Sequence, residues 1–391
     1  MRKIAVVTVL ALGLVFQSAA NDAARVLGFI LMSAETVDQQ YAATLSLVSF
    51  GEAAGAEYVF DSLERVLAAR STIRLGGQME NYERLIRLQA KALGDWRYTN
   101  AAPALWRVVE DSKDPLTRAE ALIALGGLRA TEYGERISLM LRDLNARPAQ
   151  DIESGEKLAY AAILALERMG YPGGFSSVFF AVDAWYSRRI KDQAVRSLPL
   201  VLADPSEELL TILRLESNPR RLRALQYAVA SNLPPARKIE IAAYALNIGL
   251  TNVPSDRIEY ATVATMRKLA LNALVELGDR SGNSAIDFAN AFRLAELNND
   301  IDERLLVLRA MGADRSLESA RELAAIITRL NEDQKAGRVN DERNRLMQAA
   351  LQNAAISANK ELFAALQLVK INEGWSNTII RLANTALAAL Q

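Results

Sequence analysis

An alanine-rich phrase closing on glycine returns along this chain about once per helix pair. That recurrence constrains the fold more than any other feature. It reads ALGD at Ala92–Asp95, ALGG at Ala124–Gly127, ERMG at Glu167–Gly170, ELGD at Glu276–Asp279 and AMGAD at Ala310–Asp314. The closing glycines lie 32 residues apart from Gly94 to Gly126, 44 from Gly126 to Gly170 and 34 from Gly278 to Gly312. The 108 residues from Gly170 to Gly278 leave room for three units that have lost the glycine, with turns expected near Ala203-Asp204 and Ser231-Asn232. A period of ~30–50 residues marks stacked repeats, each a unit that cannot bury its apolar face alone.

The local signals agree. After Asp114, the residues Leu116, Ala119, Leu122, Ile123 and Leu125 recur at three- and four-residue spacing, one apolar helix face. Gly126-Gly127 is read as its stop, and Ile137, Leu139, Met140, Leu141 and Leu144 begin a second helix. Prolines sit at helix starts, where a missing N–H costs nothing: Asp114-Pro115, Asp204-Pro205 with Glu207 as a capping box, and Asn218-Pro219. Asp256/Glu259 and Asp300/Glu303 repeat the box spacing without proline.

The segment DPLTRAEALIALGGL (Asp114–Leu128), with Arg118, Ala121, Leu122, Ala124, Leu125 and Gly126, resembles the HEAT-repeat family in its short bacterial form. LALNALVELGD (Leu269–Asp279) and DERLLVLRAMGAD (Asp302–Asp314) are weaker copies. The resemblance covers residues 80–370, with seven or eight units counting degenerate ends. It implies an all-α fold: an α-solenoid of stacked antiparallel helix pairs presenting a partner-binding surface, with the binding residues on the second helix of each pair. It supplies no catalytic residue.

Residues 1–20 read as a secretory signal peptide. Arg2 and Lys3 precede the uncharged run Ile4–Phe16, and Ser18 and Ala20 offer small residues before Asn21. A run of thirteen residues is shorter than the ~20 a membrane span needs, so no permanent anchor is expected after cleavage. Residues 21–80 read as an N-terminal helical cap. Residues 81–391 read as one repeat array with a closing helix in Trp375–Gln391 and an exposed loop at Asp333–Asp341, without a second domain. No glycosylation sequon occurs, which together with the leader suits the bacterial periplasm.

Composition narrows the chemistry. Lys+Arg and Asp+Glu are each 46, so there is no basic footprint for nucleic acid. Cysteine and histidine are both absent, which rules out Cys-His and Ser-His-Asp nucleophile systems and ordinary zinc sites. Asn298, Asp300 and Asp302 imitate a calcium loop, but its sixth position is Glu303 and its twelfth Arg309. Glu207/Glu208 and Asp151/Glu153/Glu156 sit at helix starts, where the dipole favours acids. No catalytic residue, cofactor or metal ligand is therefore expected.

Partner contacts are expected at two places. Tyr171–Arg189 concentrates Phe175, Phe179, Phe180, Trp185 and Tyr186 before Arg188 and Arg189. Aromatic stripes at helical spacing are most often core, while Trp, Tyr and Arg also dominate binding hot spots. Trp185, Tyr186, Arg188 and Arg189 are the candidates here. Arg220, Arg221 and Arg223 form a second cluster, a solvated face or a carboxylate clamp. The functional expectation is an exported, non-catalytic scaffold for a protein partner in the cell envelope. The alternatives are a carboxylate-based hydrolase acting on an envelope polymer and a structural protein that self-associates through the weakly polar end LANTALAAL.

Overall fold

A computed structural model describes residues 22–51, 53–70, 76–148 and 150–391. The leader expected at 1–20 lies outside these. Among the described residues the chain is all-α, its helices paired antiparallel in sequence order. Contacts divide it into two compact units meeting in sequence at Asp204 and Pro205.

Unit 1 holds α1 (residues 22–33), α2 (Val37–Phe50), α3 (Ala56–Arg70), α4 (Gly76–Asp95) and α5 (Ala102–Asp111). It continues through α6 (Pro115–Leu128), α7 (Gly134–Ala146), α8 (Ile152–Met169), α9 (Phe175–Ala181) and α10 (Arg188–Val201). Unit 2 holds α11 (Ser206–Leu215), α12 (Asn218–Ala230), α13 (Pro235–Thr251), α14 (Arg257–Leu277) and α15 (Ala285–Leu297). It ends with α16 (Ile301–Asp314), α17 (Leu317–Lys335), α18 (Asp341–Ser357), α19 (Phe363–Lys370) and α20 (Asn377–Ala388). Pairing from α3/α4 to α19/α20 gives nine pairs among the described residues, more than the glycine count suggests. The expected cap boundary at residue 80 falls inside α4.

Within each unit the helices form two rows. Even-numbered helices pack on the next even-numbered helix, odd on odd except around α5, and from α3 onward each odd helix packs on its even partner. Three caps read from sequence hold. Asp114 accepts from the Thr117 N–H at 3.0 Å, Asp256 from Ile258 and Glu259, and Asp300 from Glu303. Two starts shift by one residue: α11 begins at Ser206 with Pro205 at the cap position, and α12 begins at Asn218 after Ser217. A cation near the start of a helix ties it to the one before at two places, within the α5/α6 pair and between α12 and α13. Arg118 Nε donates to the Val109 carbonyl at 2.8 Å, and Lys238 Nζ to that of Val229 at 2.9 Å. Both carbonyls lie in the last turn of the preceding helix, where unpaired acceptors and the dipole favour a cation.

The recurring glycines divide by role. Gly170 and Gly278 end α8 and α14 in the left-handed conformation, with φ of 59° and 71°. Gly126 and Gly127 do not end α6, which runs on to Leu128 and closes at Arg129 with φ 55°. They are points of close helix approach. A Cβ on Gly126 would lie 2.7 Å from Ala165 Cα in α8, and one on Gly127 2.9 Å from the Gly94 carbonyl oxygen in α4. A Cβ on Gly94 would lie 2.7 Å from Ala124 Cα. In the even row of unit 1, α4, α6 and α8 are thus joined backbone to backbone.

In unit 2 the corresponding centre is polar. Arg267 of α14 and Glu303 of α16 are both fully buried and doubly bonded, Nε to Oε1 at 2.6 Å and a terminal nitrogen to Oε2 at 2.9 Å. Arg267 also donates to the Gly249 carbonyl of α13 at 3.2 Å. Burial works against the Arg267 charge, but the Glu303 bonds outweigh it and raise the guanidinium further above its ordinary range. Glu303 therefore does not return to Asp300 as the box spacing suggests.

Candidate functional site

Consecutive odd-row helices within each unit pack directly from α7 to α9 and from α11 to α19, while α3 and α5 meet only lightly and α5 and α7 barely touch. Their separation follows from the side chains between them. Trp106 of α5 stacks on Tyr133, just before α7, with ring centroids 5.3 Å apart at 23°. The Arg136 guanidinium lies 5.5 Å from the Trp106 ring centre and 6.0 Å from that of Tyr133. Rings and a cation in this register are mutually attractive, and they hold the helix backbones apart. On its other side α7 is held tightly. Ser138 and Ser177 share a 2.7 Å hydrogen bond, and Asn145 donates to the Ser177 carbonyl.

The gap is a cavity of about 850 Å³, within the usual range of ligand sites. Its apolar walls are Trp106 and Val109 from α5 and Leu139, Met140 and Leu144 from α7. Arg118 from α6 and Arg136 and Arg147 line it too, with Glu110 and Asp143. Arg118 is half-buried and lowered from its ordinary range by that burial, while the other four charged groups are exposed. None of the five forms an ion pair among the described residues. Trp106 is 8% exposed, and its buried indole N–H has no acceptor among the described residues.

The hydrolase alternative needs two carboxylates about 5–9.5 Å apart, one of them kept from water to act as acid. Glu110 and Asp143 are both exposed. Glu120, whose carboxyl is pushed up by burial, is not part of the cavity lining.

The expected contact residues are dispersed. Tyr186 is 3% exposed and lies in the core, so it does not present a surface; burial pushes its phenol far up. Phe175 and Phe179 are core as well. Trp185 is half-buried, and its indole N–H donates to the Leu144 carbonyl at 2.7 Å, so it clamps the last turn of α7 behind the cavity wall. Arg188 is exposed beside Asp192 at 3.5 Å, and Arg189 lies over the Tyr160 ring at 5.2 Å. Arg220 pairs with Glu216 at 2.7 Å, and Arg221 donates to Asn218 and to the Arg214 carbonyl. Arg223 is exposed on the same helix. The first group belongs to unit 1 and the arginine cluster to unit 2.

The cavity itself was missed, and it lies between first helices of pairs, where the resemblance pointed to second helices. One signal was available. The buried face of α7 is Gly134, Ile137, Ser138 and Leu141, so Leu139, at 41% exposed, makes its apolar arc wider than packing requires.

No family model matches the sequence, so the HEAT resemblance stands without one. No curated protein matches it. Among solved structures it is similar to human deoxyhypusine hydroxylase in complex with glycerol, at 16% identity over 95% of this chain and 97% of that one, with a TM-score of 0.28. It is also similar to a structure concerning the phosphorylation switch that controls the interaction between cadherin and beta-catenin, at 12% identity over 95% and 91% of the two chains, with a TM-score of 0.34. Superpositions this loose carry no weight for fold or function; the architecture rests on the helix pairing within this chain.

Proposed function

We propose that this chain is an exported, non-catalytic scaffold that holds a protein partner in the cell envelope. The observation that carries the reading is the open seam between α5 and α7, a recess with apolar walls, three arginines and two acids. Stacked helix pairs expose long ridged surfaces, and recesses in them take side chains of a partner. The sequence pattern of Arg2 to Ala20 supports export. Among the described residues no helix is long and apolar enough to cross a membrane. The test is a crosslinking pull-down from the envelope fraction with wild type and Leu139→Glu, a change at an exposed position. Recovery of one or two stoichiometric partners by wild type and their loss from the variant is expected. Equal recovery by both removes the seam as the contact.

Self-association is a second reading with its own observation. The last pair exposes Phe363 and Ile371, at 54% and 68%, and Phe363, Leu387 and Leu390 line a cavity of about 440 Å³. Light scattering against concentration separates the two, since only self-assembly raises the mass with concentration.

A further inference from the structure

We infer that the α5/α7 cavity recognises an acidic peptide segment, one carboxylate beside an apolar side chain. This rests on the scaffold reading and names the chemistry of its ligand. The cavity has an inside and a rim of different character. At the inside, Trp106 and Val109 give an apolar floor, and Arg118 is the half-buried cation. One Arg118 nitrogen is spent on the Val109 carbonyl, and its remaining donors meet no carboxylate. Arg136 is held over the Trp106 ring, and it too has no carboxylate partner. Glu110 and Asp143 line the same cavity yet are exposed, in ion pairs with neither arginine.

A half-buried guanidinium with one carbonyl acceptor and no counter-ion carries a desolvation cost that the carbonyl and the helix end offset only in part. A ligand carboxylate between Arg118 and Arg136 would offset it through charge-assisted, planar hydrogen bonds. The apolar wall of Leu139 and Met140 then takes the neighbouring side chain. The exposed acids at the rim act against a second ligand carboxylate, so a polyanionic tract is disfavoured and a single acid flanked by apolar residues is preferred. The volume suits a few residues of extended peptide, not a folded domain.

The experiment uses the full chain and two matched pools of acetylated hexapeptides. One pool carries Asp or Glu and the other Asn or Gln at the central position, each followed by Leu, Met, Phe, Tyr or Trp. Ligand-detected NMR reads binding. The acidic pool is expected to bind at least ~10-fold more tightly than the amide pool, the size of one lost charge-assisted bond. That preference disappears in Arg118→Gln and in Arg136→Gln, and returns in part in Arg118→Lys. Arg142→Gln, at an exposed α7 position outside the cavity, leaves it unchanged. Arg136 is exposed, so its variant keeps the test valid if Arg118→Gln unfolds. Equal binding of the two pools, binding of neither, or wild-type preference in the Arg136 variant overturns the inference. The pull-down with Leu139→Glu scores the scaffold reading separately: a partner lost from that variant while both pools fail removes the ligand class alone.

Discussion

The two units solve one problem with different materials. Both stack even-numbered helices into a row, and both need those helices at a fixed distance. Unit 1 sets the distance with atoms that are missing: Gly94, Gly126 and Gly127, with Ala124 and Ala165, let the backbones of α4, α6 and α8 meet. Unit 2 has one such approach, Gly312 against Asn353, but its centre is set by the buried Arg267–Glu303 pair, followed by Arg304 with Glu342 between α16 and α18. The first kind of joint is sensitive to volume and indifferent to charge. The second tolerates little change in charge, and a buried pair is weak evidence of net stability, because its attraction is largely spent on desolvation.

The largest effect should come from breaking the polar joint on one side. Glu303→Ala leaves Arg267 buried and unpaired, and a loss of about 3–5 kcal/mol is expected in denaturant unfolding. Replacing both, Arg267→Met with Glu303→Leu, should recover most of it. Failure of the double variant to recover would show that the pair does more than offset its own charges. Next is the volume joint: Gly126→Ala should cost about 1–3 kcal/mol by overpacking, despite the better helix propensity of alanine. Gly77→Ala in α4, where a Cβ meets nothing, is the control and should not destabilise. Equal stability of the two variants would end the contrast between the units.

Smaller again is the cap of α6. Asp114→Ala should cost about 1 kcal/mol. Burial pushes the Asp114 carboxyl upward, but bonds from Thr117 and the Arg87 charge outweigh it and lower it below the usual range. Its stabilisation is therefore full above the ordinary Asp range near ~3.9 and is lost as pH falls through the lowered native value. Wild type and variant should converge at acid pH, and a gap that persisted there would reassign the effect to packing. Arg188→Ala and Arg220→Ala, exposed i,i+4 partners, should change stability by less than about 0.5 kcal/mol in either unit.

The sequence carries the helix pairs and the caps at Asp114, Asp256 and Asp300 because these are local signals, complete within four residues. What it hides has a cause in each case. A glycine near a helix end satisfies the cap pattern equally well when it is an approach point, and only the position of the left-handed residue, Arg129 in place of Gly126, separates the two. Glu303 stands at the correct box spacing from Asp300, and its true partner is 36 residues away. Trp185 and Tyr186 are adjacent in sequence and share an aromatic contact, yet one is core and the other braces α7. The cavity is the hardest to read, because it is made by the distance between helices, which no residue pattern encodes directly.

The glycine joint has a mechanical consequence. Backbone pressed on backbone leaves no rotamer to change and no side chain to slide, so the line through α4, α6 and α8 is an inextensible spine. Any flexing of this unit is then taken up across from it, where two stacked rings and the guanidinium lying against both separate α5 from α7 like leaves of a bellows. Amide exchange should register this as slow opening along the spine and faster opening along the facing turns of α5 and α7. Similar protection on both sides would mean the seam is as stiff as the joint that faces it.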